Sequence, residues 1–408
     1  MKKLCIVSSY GRPCGIAQYV EHLEPALKTL DGWDIEIASL PVDVLRSAER
    51  YARKSAAIEI DAIADKLRSA DVVNIQFEPG LLGVDPFSIK RRLKKLIDAS
   101  RKVIITYHTV PFNQGSLSGS GISLIKNHLR SYRANHVFSY LFREVRRNPE
   151  KFATIVHTKR ERRAFELMGV ASHSIYDHPL SFIGEQEKKT ITKVEERKRI
   201  QSELDLSDSD KILGVFGFLS PYKGIEVAIK ATKLLPEKYK LLIFGAVHPE
   251  ALPHGKPSVP YIEELTELVT PSIPSESTFD GFDRVFFCGA PENRDFHRRM
   301  AGCDYLLLPY AEVGQTSSGP ASMALDVDAN LYVTGNKCFK ELNKYARGAL
   351  TFFDVGNHVE LAQKILHIPA EQDKKSAAEQ YRKNHNVERV ALDYRTAFDA
   401  LTGSTSFT

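Results

Sequence analysis

Several familiar signatures are missing from this 408-residue chain. Its five cysteines, Cys5, Cys14, Cys288, Cys303 and Cys338, form no CxxC pair and no zinc-ligand spacing, so they read as buried thiols of a reducing compartment. No run of about 18 apolar residues occurs, which excludes a membrane-spanning helix. The start, MKKLCIVSSYGRPCG, has two lysines and only a short apolar run, so it reads as a first strand and not a signal peptide. Neither GxGxxG nor GxxxxGK[ST] is present, which rejects the dinucleotide fingerprint and the P-loop. No metal is expected to be obligatory. Basic residues lack interleaved aromatic platforms, which argues against nucleic acid.

What remains is globular. Hydrophobic residues make up 43% and charged residues 26%, over a length sufficient for two cores. The net charge of +5 is mildly basic and suits an anionic ligand or a transient membrane-surface contact.

Strands alternate with helices throughout, the pattern of parallel sheets. In the first half, strands are predicted at Leu4–Val7, Asp34–Ala38, Val72–Phe77, Lys102–Tyr107 and Ala153–Thr158. Helices are predicted from Ile16 to about Leu30, over 44–69 and over 86–99. Ligands of such sheets bind outside the carboxyl ends of the strands. Gly11 to Gly15, Glu78 and His108 all follow strands at that edge, and the Gly/Ser-rich segment 112–124 reads as a mobile loop beside it. Lys90, Arg91, Arg92, Lys94 and Lys95 share one helix. Such a cluster is a solvated face or a contact for anionic lipid or a phosphorylated acceptor.

Residues 184–210 are highly charged and read as an inter-domain linker plus an entry helix, after which a second α/β unit begins. There the strand Lys211–Phe216 leads into the loop Gly217–Gly224 and a helix from Ile225. A lysine ending a Gly/Ser/Pro loop at a helix start, as Lys223 does, suits a phosphate. Further strands are predicted at Lys240–Phe244, Arg284–Cys288, Leu331–Thr334 and Leu350–Phe353. The stretch Tyr305 to Asn330 repeats the arrangement: a buried strand, a small-residue loop and a helix opened by Pro320. Such a start aims backbone N–H groups at an anion, although Gly and Ser also fill ordinary connections. The boundaries drawn are 1–190, 191–385 and a C-terminal helix, 386–408, expected to pack across the domain junction.

In this order and spacing, the helix opening at Gly15-Ile16 and the segments DVVNIQFEPG, ITYHTV, IVHTKRERR, GFLSPYKGIEVAIKA, LLIFGAVHPE, VFFCGAPEN and LLPYAEVGQTSSGPASMAL resemble a retaining glycosyltransferase of the family 4 type. That resemblance implies an α/β chain of two Rossmann-like, doubly wound domains facing across a cleft, the GT-B architecture. It implies a nucleotide-diphosphate sugar as donor, with no cofactor and no obligatory metal. The acceptor would be a glycan, a lipid-linked molecule or a small molecule, as in surface polysaccharide synthesis. The site would be cytoplasmic, with peripheral contact at the inner membrane surface through residues 90–95 as an addition.

By the same resemblance, Lys223 holds the pyrophosphate with the amides of Gln315, Thr316, Ser317, Ser318 and Gly319. Phe218 and Ser220 belong to the same donor loop. Gly289 to Asn293 would meet the base, His108 the transferred sugar, and Gly15 would let phosphates approach the first helix. Two departures stand out. Phe218 occupies the place of the family's loop arginine. Glu312 matches the first glutamate of E-x7-E, but Pro320 stands where the second belongs, so the loop looks more like the E-x-x-Q-[ST] variant. Glu312 is then expected on sugar hydroxyls, with Ser322 or Asp326 taking the ribose. A sugar-nucleotide epimerase and a non-catalytic sugar-nucleotide-binding partner are the competing readings.

Overall fold

A computed structural model describes residues 1–12, 14–110, 136–247, 260–270, 284–292, 295–312, 315–367 and 372–403. The segment 112–124 and Asn293 lie outside the described residues. The chain divides into two compact units: residues 1–180 with 387–408, and residues 181–386.

The first unit holds a six-stranded sheet of β1 (Lys2–Ser8), β2 (Trp33–Ser39), β3 (Val72–Phe77), β4 (Val103–Tyr107), β5 (Phe152–Val156) and β6 (Ile175–Asp177). Its order is β2-β1-β3-β4-β5-β6, and every pairing is parallel. β3, β4 and β5 are buried along their whole length, as expected of central strands covered on both faces. Each fully buried Val, Leu or Ile there contributes about 1.5–3 kcal/mol relative to exposure. Gly15–Lys28 packs against the last helix, Val387–Thr402.

The single helix predicted over 44–69 is two helices, Val42–Arg46 and Arg50–Leu67. Extended backbone at Ser47 and Glu49 separates them. The buried Arg92 guanidinium donates to the carbonyls of Leu45 at 2.7 Å and Leu82 at 2.6 Å, which holds the end of the first short helix in place.

The second unit holds β7 (Lys211–Phe216), β8 (Tyr239–Phe244), β9 (Val285–Gly289), β10 (Tyr305–Leu308), β11 (Leu331–Thr334) and β12 (Leu350–Phe353). The order is β12-β11-β10-β7-β8-β9, again all parallel. This is the 3-2-1-4-5-6 order of dinucleotide-binding sheets, with its reversal between β7 and β10. The charged segment 184–210, read as a linker plus an entry helix, does hold a helix. Lys193–Leu204 is a helix packed on Phe296–Gly302, and its Arg197 pairs with Asp304 at 2.5 Å.

Candidate functional site

Ligands of open α/β sheets bind where the strand order reverses, beyond the strand carboxyl ends. In the second unit that point is flanked by the loops leaving β7 and β10, the two loops singled out in the sequence. Backbone contacts fasten them to each other. Ala311 N donates to Tyr222 O at 2.9 Å. Gly224, at φ +65°, lies so close to β10's end that an added Cβ would sit 2.0 Å from Pro309 O. The left-handed turn there ends the Pro221–Lys223 turn and opens the Ile225–Lys233 helix.

Lys223 is 4% exposed. Its ammonium donates to Tyr310 Oη at 2.5 Å and lies 3.9 Å from the Tyr310 ring centre and 4.9 Å from that of Tyr222. Among the described residues no carboxylate forms an ion pair with it. Burial, only partly offset by the charge interaction with Cys338, pushes its pKa down to about 7. Ser318 caps the helix Gly319–Asp326: its Oγ accepts from Ala321 N at 3.4 Å and donates to Tyr310 Oη at the same distance. The lysine and the helix start therefore share one phenol oxygen. Gly217, at φ +123°, brings backbone against both, since a Cβ there would lie 3.4 Å from Lys223 Nζ and 3.8 Å from Pro320 Cγ.

The remaining predicted residues divide. Thr316 is buried in the β10 loop, and Gln315 donates through Nε2 to Ser317 O at 2.6 Å. Ser220 opens the Pro221–Lys223 turn, and its carbonyl accepts from Lys223 N at 2.9 Å; Phe218 is half-buried in the same loop. Gly289 ends β9 exposed, at φ +72°. Glu312 is exposed, and its Oε2 accepts from Lys337 N at 2.8 Å at the start of the helix Lys337–Leu342. Ser322 and Asp326 are not at the loops. Ser322 is buried and hydrogen-bonded with Tyr381. Asp326, fully buried, accepts from Ser181 Oγ at 3.1 Å and Phe182 N at 2.9 Å. Both contact the interior of the unit.

In the first unit the strand order reverses between β1 and β3. Gly15 opens its helix facing free space, with nothing within 4 Å of an added Cβ. Glu78 follows β3; burial raises its pKa, partly offset by hydrogen bonds from Thr109 and the Gly80 amide. His108 follows β4, half-buried, with Nε2 2.7 Å from Gln76 Oε1. Burial pushes its pKa down to about 3, so the ring is neutral. His157 and His178 follow β5 and β6, and the ring centres are 5.1 Å apart for His108 and His157 and 5.3 Å for His157 and His178. Tyr310, Gln76, Asn74 and these two histidines were not singled out from sequence. Asn74 and Gln76 alternate inside the otherwise apolar VVNIQF, and polar groups on one face of a buried strand were the available signal.

The basic cluster is largely engaged within the unit. Arg92 is buried on carbonyls, Lys94 pairs with Asp98 at 2.5 Å, Lys95 pairs with Asp61, and Lys90 lies 5.4 Å from the Tyr140 ring centre. Among the described residues no group of three His, Cys, Asp or Glu could hold a metal ion, and no helix is long and apolar enough to cross a membrane.

No protein-family model matches the chain, and no curated protein matches it by sequence. Solved structures do match. Sucrose-phosphate synthase from Thermosynechococcus elongatus is 14% identical with a TM-score of 0.67, over 99% of this chain and 100% of that one. HepE from Anabaena, in complex with UDP and glucose, is 15% identical with a TM-score of 0.64, over 97% and 98%. A candidate UDP-N-acetylglucosamine 2-epimerase from Listeria monocytogenes is 11% identical with a TM-score of 0.56, over 100% and 98%. With two doubly wound parallel units and this likeness along nearly its whole length, the chain has the GT-B fold.

Proposed function

We propose that this protein is a glycosyltransferase that takes a sugar from a nucleotide-diphosphate donor bound by its second unit. The observation that carries the reading is the buried ammonium of Lys223, without a carboxylate partner among the described residues, beside the Ser318-capped helix start at the strand-order reversal. A cation held there at a cost in desolvation is matched by a diphosphate. HepE, which shares the fold, is described with UDP and glucose, so UDP-sugars are the first donors to try.

Breaking the anomeric C–O bond leaves negative charge on the departing diphosphate. Fixed donors aimed at that charge lower the barrier, and a single such donor is worth roughly 3 kcal/mol. Lys223 and the backbone amides of 315–319 are the donors in this reading. His108 is assigned to the transferred sugar by the family resemblance. Retention of configuration, membership of family 4 and a glycan, lipid-linked or small-molecule acceptor follow from the resemblance. No metal is required in this scheme, so turnover is expected to persist in EDTA.

A thermal-shift screen over UDP-, GDP- and ADP-sugars tests the donor. A true ligand at a hundredfold excess over its dissociation constant adds about 2.7 kcal/mol of apparent stability. Absence of any shift across the series would remove the reading. The epimerase alternative is separated by incubating donor alone: an isomerised sugar nucleotide supports it, and transfer that requires an acceptor does not.

A further inference from the structure

Asn74, Gln76 and His108 form a chain of hydrogen bonds whose direction is fixed at one end. The Ile104 carbonyl can only accept, so the atom of Asn74 facing it at 3.1 Å is Nδ2. The same nitrogen donates to Thr106 Oγ1 at 3.0 Å. Asn74 Oδ1 must then accept, and Gln76 Nε2 donates to it at 2.6 Å. Gln76 Oε1 is left facing His108 Nε2 at 2.7 Å. A carboxamide oxygen cannot donate, so the imidazole N–H is on Nε2. A neutral ring carries one N–H, so Nδ1 presents a lone pair, and it has no hydrogen-bond partner among the described residues.

The neighbouring rings are held the other way round. His157 Nδ1 lies 3.2 Å from the His178 carbonyl, and His178 Nδ1 lies 3.1 Å from the Pro179 carbonyl. Both carbonyls only accept, so both rings carry the N–H on Nδ1. Three rings on successive strand ends thus occupy two different tautomers, and His108 is the one turned to accept through Nδ1.

We propose that Gln76 is a positioning residue that fixes His108 as a hydrogen-bond acceptor at Nδ1, so that the group His108 receives is a sugar hydroxyl and not a phosphate oxygen. The identity of that ligand rests on the proposed function; the tautomer does not. An Nδ1 lone pair repels an anionic oxygen and rewards an O–H donor. A donor sugar lacking that hydroxyl is therefore discriminated against.

The first test needs no variant. Two-bond ¹⁵N–¹H correlation spectra of the full chain, labelled at histidine, separate protonated from lone-pair ring nitrogens. The expected result is Nε2–H for His108 and Nδ1–H for His157 and His178; Nδ1–H at His108 would overturn the proposal. The second test is Gln76→Leu, which removes the acceptor. It is expected to move His108 toward a mixture of tautomers and to raise KM for the sugar nucleotide about tenfold, the scale of one hydrogen bond, with the Kd of UDP unchanged. Loss of UDP binding equal to the loss of sugar-nucleotide binding, or no change of tautomer in Gln76→Leu, would overturn the positioning role. If the wild-type spectra are as expected but no sugar nucleotide binds, the sugar-hydroxyl assignment falls with the proposed function while the tautomer assignment stands.

Discussion

Lys223 is the residue on which most of the proposed chemistry turns. Its pKa of about 7 in the folded protein lies below the 10.5 of a free lysine. The cost of burying its charge is therefore fully present below pH 7 and disappears as pH rises toward 10.5. That cost is on the order of a few kcal/mol. Lys223→Met is expected to raise the melting temperature at pH 6 and to change it little at pH 10, read by thermal denaturation at both. The same shift makes diphosphate binding pH-dependent. Affinity for UDP should be constant below pH 7 and then fall about tenfold per unit above it, with a proton taken up on binding at pH 8, as calorimetry in buffers of different ionisation enthalpy would show. Lys223→Ala is expected to lower kcat by roughly two orders of magnitude. Sequence sufficed to point at this lysine because a loop lysine before a helix has few structural uses. The phenol of Tyr310 that it meets was hidden, since a tyrosine after a buried strand reads as core.

At the scale of elements, the central strands were legible because burial on both faces leaves an uninterrupted apolar run. The break at Ser47–Glu49 was not, because its cause is long-range: Arg92, on another helix, holds Leu45 O. The surroundings of Ser322 and Asp326 were not legible for a related reason. Position on a helix is readable, but which face meets Tyr381 or Phe182 depends on packing from distant parts of the chain. The loops themselves rest on close backbone approach. Gly245 allows this too, since its added Cβ would lie 1.9 Å from Gly217 O. Gly245→Ala is expected to weaken UDP binding measured by calorimetry more than a Gly→Ala change at an exposed position away from these loops, such as Gly356→Ala. Ser318→Ala removes a helix cap and is expected to cost about 1 kcal/mol in denaturant unfolding.

For the whole molecule, the last helix belongs with the first unit. Tyr394 Oη meets Thr106 Oγ1 at 2.8 Å and Gln76 Nε2 at 3.3 Å, and Phe398 lies 5.2 Å, centre to centre, from Trp33. Trp33 is the sole tryptophan, 6% exposed. A chain ending at Asn386 is expected to show red-shifted tryptophan emission and a lost or lowered fluorescence transition; wild-type emission would contradict that. A last helix leaving the second unit was expected from sequence, drawn at 386–408, but the side chains it meets in the first sheet were not readable there. That helix also sets a schedule for biosynthesis. The second unit is one continuous segment and is complete once residue 386 has left the ribosome, whereas the first, begun earlier, waits for the helix Val387–Thr402. The unit started first is thus the one finished last, and until then the interior of its sheet beside Tyr19, Gln76 and Thr106 lacks its cover, which places the demand for chaperone protection on the N-terminal half of the nascent chain.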